Sequence, residues 1–104
     1  MDKLKGFQKK YLRGLAHSMK PVVLIGQKGC AGTVLSAIND ALNTHELIKV
    51  KFIELKGKAR KNEILVSVEN KTACETVGMI GHTAILYREH NDPEKRRITL
   101  PGRK

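Results

Sequence analysis

Val22-Val23-Leu24-Ile25-Gly26-Gln27-Lys28-Gly29 decides the reading of this chain. The apolar run predicts a short buried strand. The two glycines after it let the backbone turn sharply and let another molecule approach with no Cβ in the way. From 32 to 43, Val34, Leu35, Ile38, Ala41 and Leu42 recur at helical spacing. A strand, a polar glycine loop and a helix therefore follow one another. Free N–H groups and the positive end of the helix dipole then lie beside the loop, an arrangement that favours an anion. Lys28 adds a mobile positive charge at the tip.

The charge balance suggests which anion. The chain has 104 residues, enough for one domain, with 20 Lys and Arg against 10 Asp and Glu, a net charge of +10. That excess is ordinary for a protein that binds RNA or DNA, so a nucleic-acid phosphate is the anion to expect. No apolar run approaches the roughly 20 residues of a membrane span. The first residues form a charged amphipathic segment without an apolar signal core, so a cytoplasmic protein with no membrane partner is expected. Cys30 and Cys74 are far apart and in no CxxC arrangement. Reduced thiols, no disulfide framework and no zinc are the reading.

Outward from the loop, residues 4–19 predict a helix that buries Leu4, Phe7, Tyr11, Leu12, Leu15 and Met19. Lys3, Lys10, Arg13, His17 and Lys20 fall on its opposite, basic side, and Pro21 stops it. Residues 47–53 alternate, with Ile48, Val50 and Phe52 on one face and Lys49 and Lys51 on the other. This is a half-buried strand with a basic outer surface. Residues 55–62 read as a loop or helix entry, with Asn62 a candidate N-cap. Residues 63–71 fit a helix or a strand, and the polar Glu63, Glu69 and Lys71 favour the helix. Residues 76–80 and 83–88 read as strands joined at Gly81-His82. Lys95-Arg96-Arg97 precedes a last edge strand at 98–100 and a frayed tail. The order α-β-α-β-α-β-β predicts a single compact α/β domain, a mixed sheet with helices.

Other chemistries fit poorly. A Walker loop fails because Ala31 stands where its second glycine belongs, and Lys28 occupies the middle glycine of a dinucleotide fingerprint. Gly78-Met79-Ile80-Gly81 repeats the glycine spacing with an apolar pair between, which suits strand bending or turning. The histidines His17, His45, His82 and His90 have no metal-ligand spacing, and nothing nominates a base for Cys30. No enzyme, metal or cofactor is expected. Of the four aromatic residues, Phe7, Tyr11 and Phe52 fall on predicted buried faces, so a platform of stacked bases is not expected. Backbone clamping by charge and shape is.

These residues resemble the CRM-domain family (chloroplast RNA splicing and ribosome maturation), in its stand-alone bacterial YhbY-type form. The resemblance lies in Leu12-Arg13-Gly14-Leu15-Ala16-His17 followed by 20–26, in the Gly26–Gly29 loop, in 45–51, and in Ile80-Gly81-His82 followed by 85–88. It implies an architecture related to the C-terminal domain of translation initiation factor three, with a helix at 60–73. It implies RNA binding, with large-subunit precursor rRNA and pre-ribosomal particles as partners. The loop's role carries over to Gly26, Gln27, Lys28 and Gly29. Arg13, Lys20, Lys49 and Lys51 match basic signature positions and extend the expected RNA surface. Lys10 joins them on its helical position alone. A monomer is the default expectation. The competing reading is a stoichiometric ribosomal or adaptor protein that uses its basic face structurally.

Overall fold

The alternation at 47–53 becomes β2 (Leu47–Phe52), a central strand that serves two cores. The structure is a computed structural model that describes residues 3–29, 31–54 and 57–102. The four-stranded sheet has the order β1-β2-β4-β3. β1 (Val23–Ile25) runs parallel to β2, while β2–β4 and β3–β4 are antiparallel, with β3 at Glu75–Ile80 and β4 at Thr83–Tyr87. The sheet is mixed, as expected. Successive strand residues face opposite sides. Ile48, Val50 and Phe52 therefore enter one core, and Leu47 enters the other.

On the first side lie α2 (Gly32–His45) and α3 (Lys58–Thr72), which bury Ile38, Leu42, Ile64 and Val68 against the sheet. On the second side α1 (Gly6–Ala16) buries Leu12 and Ala16 against Leu47, Val77, Ile85 and Tyr87. Leu12 and Ile38 are wholly inaccessible, and each such side chain contributes roughly 2 kcal/mol of transfer free energy.

Several local expectations are corrected by packing. α1 ends at Ala16 and buries a different stripe. Lys9 pairs with Glu75 at 3.7 Å and Arg13 Nη1 donates to the Val77 carbonyl at 2.9 Å. The sheet-facing seam is therefore 9, 12, 13 and 16. Phe7, Tyr11 and Leu15, one position aside, are left exposed, while Tyr87 is buried. The run at 22–25 is half-buried: α1 packs over β2, β4 and β3, and Leu24 on edge strand β1 and Val22 just before it stay open. α3 starts at Lys58 with Gly57 as N-cap, so Asn62 lies inside the helix and caps nothing. Helix wins over strand there because Ile64, Leu65, Val68 and Thr72 line one buried face.

Residues 98–100 form no strand. Ile98 and Leu100 pack onto the second core, Pro101 accepts a hydrogen bond from Gln8 Nε2, and Gly102 sits under the Phe7 ring. This segment is held by Glu46, which is 1 % exposed at the end of α2. Its carboxylate accepts from the backbone N–H groups of His90, Arg97 and Ile98.

Candidate nucleic-acid interface

The Gly29 N–H donates to the Gly26 carbonyl at 3.0 Å, closing a turn with Gln27 and Lys28 at its exposed tip. The two glycines differ in what they require. Gly29 has φ +65°, and a Cβ there would lie 3.2 Å from Arg60 Nη2 and 3.3 Å from Ile64 Cδ1. Gly26 has no positive φ, and its nearest neighbour to a Cβ is Ile53 Cγ1 at 4.0 Å. The fold needs glycine at 29. Nothing inside the fold needs it at 26.

Ala31, the N-cap of α2, supplies no side-chain cap, and the first turn of α2 holds no acid. The same is true of α3, whose first turn instead carries Lys58 and Arg60. Arg60 reaches back over Gly29, so both helix N-termini converge on the loop. The N–H groups of a first helical turn have no partner within their own helix. This end of the molecule therefore presents two positive dipole ends as well as side-chain cations.

Backbone ties fix the rest of that end. The Ile53 N–H donates to the Ile25 carbonyl at 2.9 Å, and the Phe52 N–H to the His82 carbonyl at 2.7 Å. The β3–β4 turn thus sits beside the glycine loop. Beneath it, Lys61 is buried and its Nζ meets His82 Nδ1. The strand register aligns Leu24, Lys51, Thr83 and Ile80 in one transverse row at the same end.

The expected basic residues divide into groups. Lys28, Lys20 and Lys51 are exposed, and Lys51 lies in the row nearest the loop. Lys49 is partly buried, its Nζ donating to the carbonyls of Met19 at 2.9 Å and His17 at 3.4 Å. It pins the segment between α1 and β1. Arg13 is likewise tethered to β3 through the Val77 carbonyl. Lys10 lies one turn before Arg13, toward the Glu75 end of β3, in a groove with Phe7, Tyr11 and Leu15. The structure does not bring it to the loop. Lys58 and Arg60 are the residues that sequence reading missed. Their charge was visible, but their place beside Gly29 depends on how α3 packs.

Among the described residues no group of three or more His, Cys, Asp or Glu side chains could hold a metal ion. No described helix is long and apolar enough to cross a membrane. Cys30 lies outside the described residues. Cys74 is buried, and burial pushes its thiol above the ordinary range, against a lowering hydrogen bond with Thr72.

The CRS1 / YhbY (CRM) domain model matches residues 4–88, which span every α-helix and strand from α1 to β4 and leave out only the short 3-10 turn at Pro93–Lys95 among the described elements. This chain belongs to the CRM domain family. A relative from Haemophilus influenzae, named "RNA-binding protein", is 41% identical over 101 residues, covering 97% of this chain and 98% of its own. "Probable RNA-binding protein YqeI" from Bacillus subtilis is 33% identical, covering 94% of this chain and 99% of its own. The solution structure of a hypothetical protein from Staphylococcus aureus superposes with a TM-score of 0.80 at 35% identity. It covers 95% of this chain and all of that one. The CRM fold expected from the residues is therefore the fold observed.

Proposed function

We propose that this CRM domain is a non-enzymatic RNA-binding protein that acts on large-subunit precursor rRNA during ribosome assembly. The observation that carries the reading is Gly26: a glycine without internal need, on a loop that an uncapped helix N-terminus follows and that exposes Lys28. A missing Cβ there serves a molecule arriving from outside. A sugar-phosphate chain fits the charge, because the loop, the α2 and α3 N-termini, Lys51 and Arg60 form a cationic end within a chain of net charge +10. The names of the Haemophilus and Bacillus relatives agree with RNA as the partner.

In this reading the loop and the α2 N-terminus seat one or two phosphates, and Lys28 neutralises them. Lys20, Lys51 and Arg60 extend the grip along the backbone. Lys49 and Arg13 hold the surface in shape and add charge at its edge. The protein works as a cytoplasmic monomer, without metal or cofactor.

Ultraviolet crosslinking in cells, followed by sequencing of the attached RNA, tests the target. Fragments of large-subunit precursor rRNA are expected, and fragments scattered over unrelated RNAs contradict the assignment. Sedimentation separates the competing structural role. An assembly factor co-migrates with precursor particles, whereas a stoichiometric ribosomal component stays on mature subunits.

A further inference from the structure

An apolar surface lies open beside the cationic end. Ile80 is 65% exposed and Leu24 56%, and the sheet register places them on the same face, at the two ends of one row, with Lys51 and Thr83 between. α1 covers the rows below and stops at Ala16, before it reaches this one. Next to the row is a depression of about 140 Å³ lined by Pro21, Lys49, Ile80, Thr83 and Ile85.

We propose that the depression at the Ile80 end of this row receives one unstacked nucleobase of the RNA strand whose phosphates sit at the Gly26–Gly29 loop. The inference rests on the RNA-binding reading above and names a base contact within it. Charge complementarity selects the occupant. The side chains of the row and the depression include lysines and no carboxylate, and Lys20 is exposed nearby. An apolar patch ringed by one sign of charge suits a ligand that carries flat apolar rings on a polyanionic chain. The walls from Pro21, Ile80 and Ile85 offer contact to a base face. The Thr83 hydroxyl can bond to its edge as donor or acceptor. Lys49 Nζ has three donors, of which the Met19 and His17 carbonyls engage two, and the third is available to a base oxygen or nitrogen. No aromatic residue takes part. The contact is aliphatic packing with edge hydrogen bonds, and its expected effect is about fivefold in affinity, no more than the low end of what stacking a base on an aromatic ring contributes.

The test compares a single-stranded uridine oligomer with an abasic sugar-phosphate strand of equal length. It uses wild type and the double variant Leu24→Ser/Ile80→Ser, both sites being surface positions. Wild type is expected to prefer the base-bearing strand about fivefold. The double variant is expected to bind both strands alike, at the wild-type affinity for the abasic strand and with an unchanged salt dependence. Equal wild-type affinity for the two strands overturns the base contact and leaves the RNA reading standing. Full preference retained by a folded double variant also overturns it, and leaves this face to a protein partner. Wild type that binds neither strand overturns the RNA reading and this inference together. The wild-type comparison decides even where the double variant does not fold.

Discussion

Arg13 lies across Gly78 so closely that a Cβ on residue 78 would come within 2.6 Å of the arginine Cδ. The same arginine donates from Nη1 to the carbonyl of Val77 at 2.9 Å. Gly78 also follows the register shift between Thr76 and Gly78 in β3. The second glycine pair of the sequence is thus structural, as its apolar interior suggested, and its first glycine serves the docking of α1. Gly78→Ala should displace the Arg13 stem and destabilise the protein by about 1–3 kcal/mol, as overpacking does. Urea unfolding checks it. Adding Arg13→Ala should recover part of the loss, whereas strictly additive effects would remove the contact from the account.

The two loop glycines predict opposite behaviour. Gly29→Ala meets a positive φ together with Arg60 and Ile64 at close range, so a loss of about 1–2 kcal/mol in stability is expected. Gly26→Ala finds room and should change stability by no more than about 0.5 kcal/mol. Its effect should appear in RNA affinity instead. Thermal unfolding and RNA titration of both variants separate the two roles.

Glu46 is buried beneath the C-terminal segment and accepts three backbone hydrogen bonds. Glu46→Gln keeps the shape but turns an NH₂ group toward N–H donors. A loss of about 2–3 kcal/mol is expected, since bonds to a charged acceptor are the stronger ones. Amide hydrogen exchange should show Arg97 and Ile98 losing protection first.

Cys74 predicts a decline of stability in alkali. Burial raises its thiol pKa in the folded state above the ordinary value of 9.0. The unfolded chain therefore releases that proton at lower pH than the folded one. The contribution is full below the ordinary thiol range and is lost as pH rises toward the raised pKa. Urea unfolding measured from neutral pH upward should show this fall, and Cys74→Ala should remove that part of it.

How much of this was legible varies with the residue. β2 could be read as a strand from the alternation of Ile48, Val50 and Phe52 with Lys49 and Lys51, but its second face is not the basic outer surface expected, since Leu47 joins the second core and Lys49 is partly buried. α1 could be placed, but its buried stripe could not. Its apolar residues cover a broad arc, and only the partners on β3, Glu75 and the Val77 carbonyl, select 9, 12, 13 and 16 as the seam. The start of α3 was hidden because Lys58, Arg60 and Lys61 show no apolar period, although Lys61 is buried against His82. Arg88 looked like a strand end. It joins the C-terminal turns of α2 and α3 through Asn39, Asn43 and the Thr72 carbonyl. The loop was legible as a local motif. Its neighbours Arg60 and His82 depend on tertiary packing and are not.

The most direct test of the central claim is the salt dependence of RNA binding by wild type and by Gln27→Asp/Lys28→Asp, both tip residues being exposed. If about six phosphates are engaged on a single strand, log affinity should fall against log salt with a slope of roughly −4. The double variant should stay folded, lose at least about tenfold in affinity and flatten that slope by about 1. A folded variant with the wild-type affinity and slope would contradict the claim that this loop grips RNA.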